Sequence, residues 1–350
     1  MEIDLGKIKI GNNHPCFIVA EMSANHGGSI KKAKKIIKSA KDSGADAIKL
    51  QTYTADTITI KSDLKDFKIR NDSPWSNYKN LWELYNIAHT PFEWHHDLFE
   101  FAKSIGIEIF STPFDTTAVD LLEDLNVKLY KIASPEIINI PLLEKVGSTK
   151  KPVILSTGVC NDNELRLAIK TLEKSGTKKI AVLKCTTAYP APIDEINLKT
   201  LNYYKDDLKV ITGISDHTLD NNAAICSICL GGKIIEKHFI DDNSIETPDS
   251  FFSLDKYKFE KLVKDIRNTE TMLGKIVKTP SKSARNSIKS RPSIYPYKKI
   301  NKGDVFSLKN LKVVRPGYSL NPKYLSKLLG KPSERDFNPG ERISIQNLDD

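Results

Sequence analysis

Two histidines stand at the ends of neighbouring predicted strands late in the chain. His217 lies in the motif GISDH, and His238 lies in IIEKHF. Adjacent strands of a sheet are about 4.8 Å apart, so two imidazoles at corresponding ends can both reach one cation at about 2.1 Å. The remaining positions of the cation are then left for water and substrate. The pair predicts a site for a divalent metal.

Two lysines lie inside apolar strands, Lys49 in AIKLQTY and Lys131 in LYKIASP. An ammonium group is costly to bury unless it is paired, so each lysine needs an anionic partner. An internal carboxylate such as Glu21 or Glu136 could be that partner, which would make the lysines structural. A bound phosphorylated acid is the alternative. Two lysines with several hydroxyls at one mouth favour a phosphate and carboxylate site.

Polar residues occur late in almost every predicted strand. In a parallel barrel these strand ends gather at one mouth, where the active site lies. Because side chains alternate along a strand, Lys49 and Gln51 share one face. The other polar residues at strand ends are Glu21, Ser23, Ser111, Thr112, Lys131, Ser134, Glu136, Ser156, Thr157, Thr186 and Thr187.

From residue 17 to 240, short apolar runs alternate with longer helical patterns, which is typical of parallel βαβ units. Eight such units favour a closed (β/α)8 TIM barrel over an open sheet. The connection at 54–90 is unusually long and contains PWSNYKNLWELY, so it either folds over the mouth or is a packing insertion. The eight strands are predicted at 17–22, 47–53, 108–114, 129–135, 152–158, 180–186, 209–215 and 233–239.

Three regions are predicted in the chain of 350 residues: a barrel at 1–275, a basic linker at 276–290 and a small β-rich domain at 291–350. The net charge of +9 arises between Glu270 and Asp304, a stretch with nine bases and no acid. Elsewhere, bases and acids are equal in number. Within this stretch, KTPSKSARNSIKSRP lacks aromatics and no nucleic-acid-binding fold accompanies it, so a solvated connector is predicted and no nucleic-acid partner.

The five cysteines form an odd, sparse set, which argues against a disulfide framework and predicts reduced thiols. Cys226 and Cys229 have CxxC spacing within the apolar run AAICSICLGG, and core packing is predicted for them over metal or redox chemistry. No run approaches the roughly 18 apolar residues of a membrane span. A cytoplasmic protein that does not enter a membrane is therefore expected.

Ten segments carry a resemblance to a known family, in the order VAEMSANHGGS, GADAIKLQTY, ELYNIAHTPFEWH, FSTPFD, YKIAS, ILSTG, LKCTTAYP, GISDHT, IEKHF and TPDSFFSLD. They resemble the sialic acid synthase family, and most closely the pseudaminic acid synthases within it. The later VVRPGYSLNPKY and LLGK resemble the small antifreeze-like (SAF) domain of this family. The resemblance thus covers most of the chain and both predicted domains.

The resemblance implies a reaction of phosphoenolpyruvate with an amino-sugar aldehyde. In the pseudaminic branch, phosphoenolpyruvate, 2,4-diacetamido-2,4,6-trideoxy-L-altrose and water give pseudaminic acid and phosphate, by metal-assisted C–C bond formation with C–O cleavage. The N-acetylneuraminate and legionaminate synthases of the same family are the alternative. More remote alternatives are a Schiff-base aldolase that uses Lys49 or Lys131, and a sugar-binding protein without turnover.

The resemblance also implies roles for individual residues. Glu21, His217 and His238 are the expected catalytic residues, and the two histidines are expected to hold a divalent metal, manganese. Phosphoenolpyruvate is expected to contact Lys49, Thr112, Lys131, Ser134, Ser156 and Ser215. The acceptor sugar is expected to contact Gln51, Glu136, Tyr189, Asp249 and Arg315. Arg315 is expected to come from the swapped C-terminal domain of a partner subunit in a homodimer.

Overall fold

A computed structural model of the protein describes residues 1–347. The chain divides into two compact units, one from Met1 to Gly274 and one that begins at Lys275. The last three residues of the predicted C-terminal domain, 348–350, lie outside the described residues. Among the residues that are described, no helix has both the length and the apolar composition needed to cross a membrane.

The first unit is a closed parallel barrel. Its eight strands follow one another in chain order, and the last strand pairs with the first, so the predicted (β/α)8 fold is confirmed. Each strand starts at or close to its predicted residue. The strands are β3 (Phe17–Glu21), β4 (Ala47–Thr52), β5 (Glu108–Pro113), β6 (Tyr130–Ile132), β7 (Val153–Ser156), β8 (Ile180–Cys185), β9 (Ile211–Asp216) and β10 (Ile234–His238).

A short hairpin that the sequence patterns did not predict precedes the barrel. It consists of β1 (Glu2–Asp4) and β2 (Lys9–Gly11), which pair antiparallel. Its apolar residues belong to the same cluster as the lowest inward row of the barrel. That cluster contains Ile3, Leu5, Ile10, Phe17, Val19, Ala47, Phe110, Leu129, Ile154, Ala181, Leu183, Ile211 and Ile234. The hairpin therefore covers the amino-terminal end of the barrel.

Most helices of the first unit surround the barrel and bury one face against it. In the first helix, the Ser29 side chain accepts a hydrogen bond from the Lys32 N–H and so caps the helix start. The helices of the first unit are α1 (Ile30–Asp42), α2 (Ala55–Ile58), α3 (Leu81–Ala88), α4 (Phe92–Ile105), α5 (Thr116–Asp124), α6 (Ile140–Ser148), α7 (Asp162–Ser175), α8 (Thr200–Asp206), α9 (Asn222–Cys229) and α10 (Lys256–Leu273). Short 3-10 helices in this unit are Ser23–His26, Lys65–Phe67, Pro135–Ile138, Ile193–Glu195 and Ser250–Phe252.

The inward face of each strand changes from apolar to polar toward its carboxyl end. On β3 the inward residues run from Phe17 through Val19 to Glu21, and on β10 from Ile234 through Glu236 to His238. The strand alternation brings these residues to one face. Apolar residues therefore fill the lower barrel, and charged residues gather at the mouth.

The predicted core packing of Cys226 and Cys229 is wrong, because both side chains are exposed on α9. The helix buries Ala223, Ala224 and Ile228 on its other face. The run AAICSICLGG is apolar on every side, so its periodicity did not distinguish the buried face from the exposed one. Among the described residues all five cysteines are free thiols.

The described part of the second unit contains a two-stranded antiparallel sheet of β11 (Ser293–Pro296) and β12 (Leu311–Val314), and the helix α11 (Leu325–Leu328). Its 3-10 helices are Ser283–Ser290, Pro322–Tyr324 and Ile345–Asn347. Its own apolar core consists of Ile294, Ile300, Phe306, Leu311, Leu320, Leu328, Phe337 and Ile343. Every residue of the basic segment 276–290 is exposed.

Candidate active site

Four charged side chains form the floor of the barrel mouth. Lys49 Nζ lies 2.5 Å from Glu21 Oε2 and 3.8 Å from Glu236 Oε2, and Lys131 Nζ lies 3.2 Å from Glu236 Oε1. None of the four side chains is more than 6% exposed. Two carboxylates and two ammonium groups thus balance one another in a site shielded from water.

The lysines therefore have internal carboxylate partners, as the structural alternative predicts. For Lys49 the partner Glu21 was among those considered. Lys131 pairs instead with Glu236, which the sequence reasoning missed, and Glu136 pairs with neither lysine. The signal for Glu236 was present, because it lies two residues before His238 and so shares its face of β10. Internal pairing does not exclude an anionic ligand, since a ligand could take over part of these contacts.

Burial favours the neutral form of each of these four groups, and the direction of each pKa shift depends on how far its charged partners offset burial. Burial alone would raise the pKa of Glu236, but the ammonium groups of Lys131 and Lys49 outweigh it and lower that pKa. Burial raises the pKa of Glu21, and Lys49 offsets this only in part. Burial lowers the pKa of Lys131, against the opposing effect of Glu236. Glu236 is therefore the fixed negative charge of the floor, and Glu21 is the carboxyl that more readily holds a proton.

Hydroxyl groups surround the charged floor. Thr112 accepts a hydrogen bond of 3.1 Å from Lys49 Nζ, and Ser215 donates one of 2.9 Å to Glu236. Ser134 accepts a 2.7 Å hydrogen bond from the N–H of Val159. The Ser156 hydroxyl is buried without a partner among the described residues. A buried hydroxyl without a partner is uncommon in proteins, so Ser156 Oγ is free to bind a ligand.

The two predicted metal-binding histidines lie side by side at the mouth. The ring centroids of His217 and His238 are 5.3 Å apart, and both residues are buried. His217 Nδ1 lies 3.0 Å from the carbonyl oxygen of Thr186. A carbonyl can only accept, so Nδ1 donates, and in the neutral ring the lone pair of His217 is on Nε2.

His238 offers a second nitrogen. Its Nδ1 is buried with no hydrogen-bond partner among the described residues. Burial, with a further contribution from His217, lowers the pKa of His238, so this ring is neutral, the form that binds metals. No group of three or more His, Cys, Asp or Glu side chains suited to a metal occurs in the described part of the chain. The residues present therefore fit a cation held by two imidazoles, with other ligands supplied by water or substrate.

Four aromatic side chains, here called the aromatic row, extend from the histidines: Tyr189, Phe252, Trp75 and Phe251. The ring centroid of Tyr189 lies 4.4 Å from that of His217, and Phe252 lies 4.6 Å from His238. Trp75 belongs to the long 54–90 connection, and its ring lies 5.6 Å from Tyr189. The structure thus brings this connection to the mouth.

The remaining predicted sugar-binding residues are Gln51, Asp249 and Glu136 in the first unit and Arg315 in the second. Gln51 Nε2 donates a 3.1 Å hydrogen bond to Glu21, and Asp249 accepts hydrogen bonds from the Ser23 hydroxyl and the Ala24 N–H. Glu136 Oε2 is buried without a partner among the described residues, and burial raises the pKa of Glu136 to about 7. Arg315 is exposed in the second unit, and its role at the site stays a prediction.

Comparisons with known proteins give consistent matches. The NeuB family model matches residues 36–278, and the SAF domain model matches residues 291–349. Pseudaminic acid synthase of Campylobacter jejuni is 41% identical over 96% of this chain and 98% of that protein. N,N'-diacetyllegionaminic acid synthase of Legionella pneumophila is 36% identical over 97% and 96%.

A solved structure agrees with these matches. The N-acetylneuraminic acid synthetase of Leptospira borgpetersenii, crystallised with citrate, is 30% identical and has a TM-score of 0.72. The match covers 82% of this chain and 95% of that one. The predicted SAF domain and the predicted family resemblance are confirmed by these matches.

Removal of the fixed negative charge should destabilise the barrel. We predict that Glu236→Gln lowers the free energy of unfolding by about 3–5 kcal/mol, because it leaves Lys131 buried without its carboxylate partner. The free energy is measured by urea denaturation. Glu108→Gln is the matched control, because Glu108 also lies on a barrel strand and pairs with a lysine at 2.6 Å, but that lysine is 49% exposed. Its cost should be about 1 kcal/mol or less, and equal losses in the two variants would contradict the prediction.

Glu136 should make stability depend on pH. The folded protein holds the Glu136 proton up to about pH 7, whereas the unfolded chain releases it near its ordinary pKa of 4.5. Folding therefore takes up a proton between these values, and wild-type stability falls as pH rises through this range. Glu136→Gln cannot ionise, so its stability should not fall in this way. The difference in melting temperature between Glu136→Gln and the wild type should therefore rise by a few degrees between pH 4.5 and about pH 7. A constant difference across this range would show that Glu136 ionises normally.

Proposed function

Because this chain belongs to the NeuB family and ends in a SAF domain, we propose that it condenses phosphoenolpyruvate with 2,4-diacetamido-2,4,6-trideoxy-L-altrose and water to give pseudaminic acid and phosphate. The 41% identity to a pseudaminic acid synthase over nearly the full length of both chains supports this branch of the family. The observation that carries the chemistry is the buried floor of Lys49, Lys131, Glu21 and Glu236 beside two adjacent histidines.

Phosphoenolpyruvate would bind at the floor. Its carboxylate and phosphate need positive partners in a site shielded from water, and Lys49 and Lys131 supply them. The unpartnered Ser156 hydroxyl supplies a further hydrogen bond, and Thr112, Ser134 and Ser215 complete the set. Ammonium groups that stabilise the charge on the leaving phosphate are worth about 100- to 1000-fold in rate each.

A divalent cation, which we propose to be manganese, would be held by His217 and His238. When bound, it would act as a Lewis acid on the aldehyde oxygen of the acceptor and make the aldehyde carbon the better electrophile. The hydrogen bond from His217 Nδ1 to Thr186 fixes that ring in the orientation that leaves Nε2 available. The neutral state of His238 requires no proton to be displaced before binding.

Glu21 would orient the water and take its proton. C3 of phosphoenolpyruvate bonds to the aldehyde carbon, whose oxygen takes up a proton and becomes a hydroxyl, and C2 is left electron-poor. Water then adds to C2 and gives a proton to Glu21, whose raised pKa suits a proton acceptor that must later release it. The bond between C2 and the phosphate oxygen breaks, so that C2 becomes a carbonyl and phosphate leaves. Gln51 holds Glu21 through its 3.1 Å hydrogen bond.

The acceptor would lie above the floor, among Gln51, Glu136, Tyr189 and Asp249. We propose that Arg315 joins them from the swapped C-terminal domain of a partner subunit, in a homodimer.

The matches to the NeuB family and to the SAF domain support a division of the chain into a barrel at 1–275, a basic linker at 276–290 and a SAF domain at 291–350. The five free thiols support a reducing, cytoplasmic location.

The function is tested by phosphate release. The purified protein should release phosphate from phosphoenolpyruvate only when the acceptor is present, and mass spectrometry should identify pseudaminic acid. His217→Ala and Glu21→Ala should each lower turnover by at least about 1000-fold without loss of helical circular dichroism. Chelation with EDTA should abolish turnover, and manganese should restore it.

The control and the alternatives use the same assay. His14→Ala should leave turnover unchanged, because His14 pairs with Glu2 in the N-terminal hairpin. A legionaminic or neuraminic acid product from the corresponding acceptor, in place of pseudaminic acid, would assign the chain to another branch. Covalent trapping by borohydride with pyruvate would support an aldolase instead. Near-normal phosphate release by either alanine variant would contradict the roles given to these residues.

The swapped arrangement has its own test. Arg315→Ala and His217→Ala should each be inactive alone. After mixing in equal amounts and random subunit exchange, half of the dimers are mixed and each carries one site with both residues intact, so up to about a quarter of the wild-type activity should return. Native mass spectrometry on isotope-labelled subunits reports the exchange. Demonstrated exchange without recovered activity would contradict a site shared between subunits.

A further inference from the structure

The aromatic row is continuous from the histidines to the surface. Tyr189 contacts His217 at 4.4 Å between ring centroids, Trp75 contacts Tyr189 at 5.6 Å, and Phe251 contacts Trp75 at 6.0 Å. Each contact is tilted or edge-on, which is the favourable geometry for aromatic pairs. The mouth therefore has an apolar side that begins at the histidines and ends at Trp75 and Phe251.

Trp75 is held in this position from its polar end. Its indole Nε1 donates a 2.7 Å hydrogen bond to the carbonyl oxygen of Pro248, which lies between β10 and α10. The indole has no other polar atom. With its one donor used, the ring can present only apolar surface to a ligand.

The outer end of the row is left partly open, unlike its inner end. Phe251 is 46% exposed, whereas Phe252 is 2% exposed against the histidines. Large apolar side chains that remain exposed at the mouth of a concave site are typical of ligand contact. The mouth also has polar groups: Asp249 accepts a hydrogen bond from the Ser23 hydroxyl, and Glu136 Oε2 is buried without a hydrogen-bond partner among the described residues. A ligand that fits this mouth has one polar side and one apolar end.

We propose that Trp75, with Phe251, determines acceptor specificity by receiving the C6 methyl group of a 6-deoxy sugar, an inference that rests on the proposed function. The aldehyde carbon lies at the histidines, and an extended six-carbon chain reaches about 6 Å further, since each carbon–carbon bond is about 1.5 Å. That reach leads past Tyr189 to Trp75. A hydroxymethyl group at the same place would lose its water without gaining a hydrogen bond.

The test compares two acceptors that differ only at C6: 2,4-diacetamido-2,4,6-trideoxy-L-altrose and its 6-hydroxy counterpart. For the wild type, kcat/KM should favour the 6-deoxy sugar by about 10- to 200-fold. Trp75→Ala should lower kcat/KM for the 6-deoxy sugar and bring the preference to within about threefold. KM for phosphoenolpyruvate should stay unchanged, because the donor binds at the floor.

Two further variants separate recognition from folding. Trp75→Phe keeps an apolar ring but loses the bond to Pro248, so it should retain part of the preference even if Trp75→Ala is unstable. Trp82→Phe is the matched control: this indole lies in the same connection and donates to Asp56 at 2.7 Å, outside the aromatic row. It should keep the wild-type preference.

Fluorescence gives a second readout that a purely structural role would not move. The chain has three tryptophans. Saturation with the 6-deoxy acceptor should change the emission of the wild type and of Trp82→Phe, and this change should be lost in Trp75→Phe. The 6-hydroxy acceptor should give a smaller change.

Each outcome decides a different question. If the Trp75 variants lower kcat/KM equally for both acceptors, or leave the preference intact, the specificity role is overturned while the proposed function stands. If the wild type uses neither acceptor, the proposed function fails and this inference fails with it. A narrowed preference in Trp75→Ala, with an unchanged preference in Trp82→Phe, supports the inference.

Discussion

Charge balance beneath the barrel mouth is the constraint on which the rest of the structure depends. Glu21, Lys49, Lys131 and Glu236 lie on four different strands, and each would cost several kcal/mol if it were buried alone. Together they form a neutral group, because every ammonium lies within 4 Å of a carboxylate. Glu21 and Glu236 flank the same lysine only because β10 pairs with β3. The charged group is therefore complete only when the barrel is closed.

The elements of the barrel could be predicted because they follow local rules. Buried parallel strands are short apolar runs, and the alternation along each strand places Glu21 and Lys49 inward, at neighbouring positions of adjacent strands. The same rule applied to β10 places Glu236 inward on the face of His238, so Glu236 could also be predicted from the sequence. β1 and β2 have three residues each and lie outside the repeating strand and helix pattern that identifies the barrel strands, so the hairpin was not predicted.

Contacts between distant loops could not be predicted. The bond from Trp75 to Pro248 joins residues 173 positions apart. Nothing in the local sequence of either segment specifies the other, since loop conformation is decided by what the loop packs against. The aromatic residues of the 54–90 connection allowed two outcomes, and only the folded barrel decides between them. Sugar specificity, which depends on such contacts, is therefore the part of the function that is hardest to predict from sequence patterns.

The hairpin of β1 and β2 closes the amino-terminal end of the barrel, so the barrel is open only at its mouth. Ile3 and Ile10 pack against the lowest inward row, so a molecule bound at Lys49 and Lys131 would leave at the far end, past Tyr189. Under the proposed function, phosphoenolpyruvate at the floor would have to enter before the acceptor above it, and a product left at the floor would leave last. The hairpin, although far from any reacting atom, would in this way set the order in which ligands enter and leave the site.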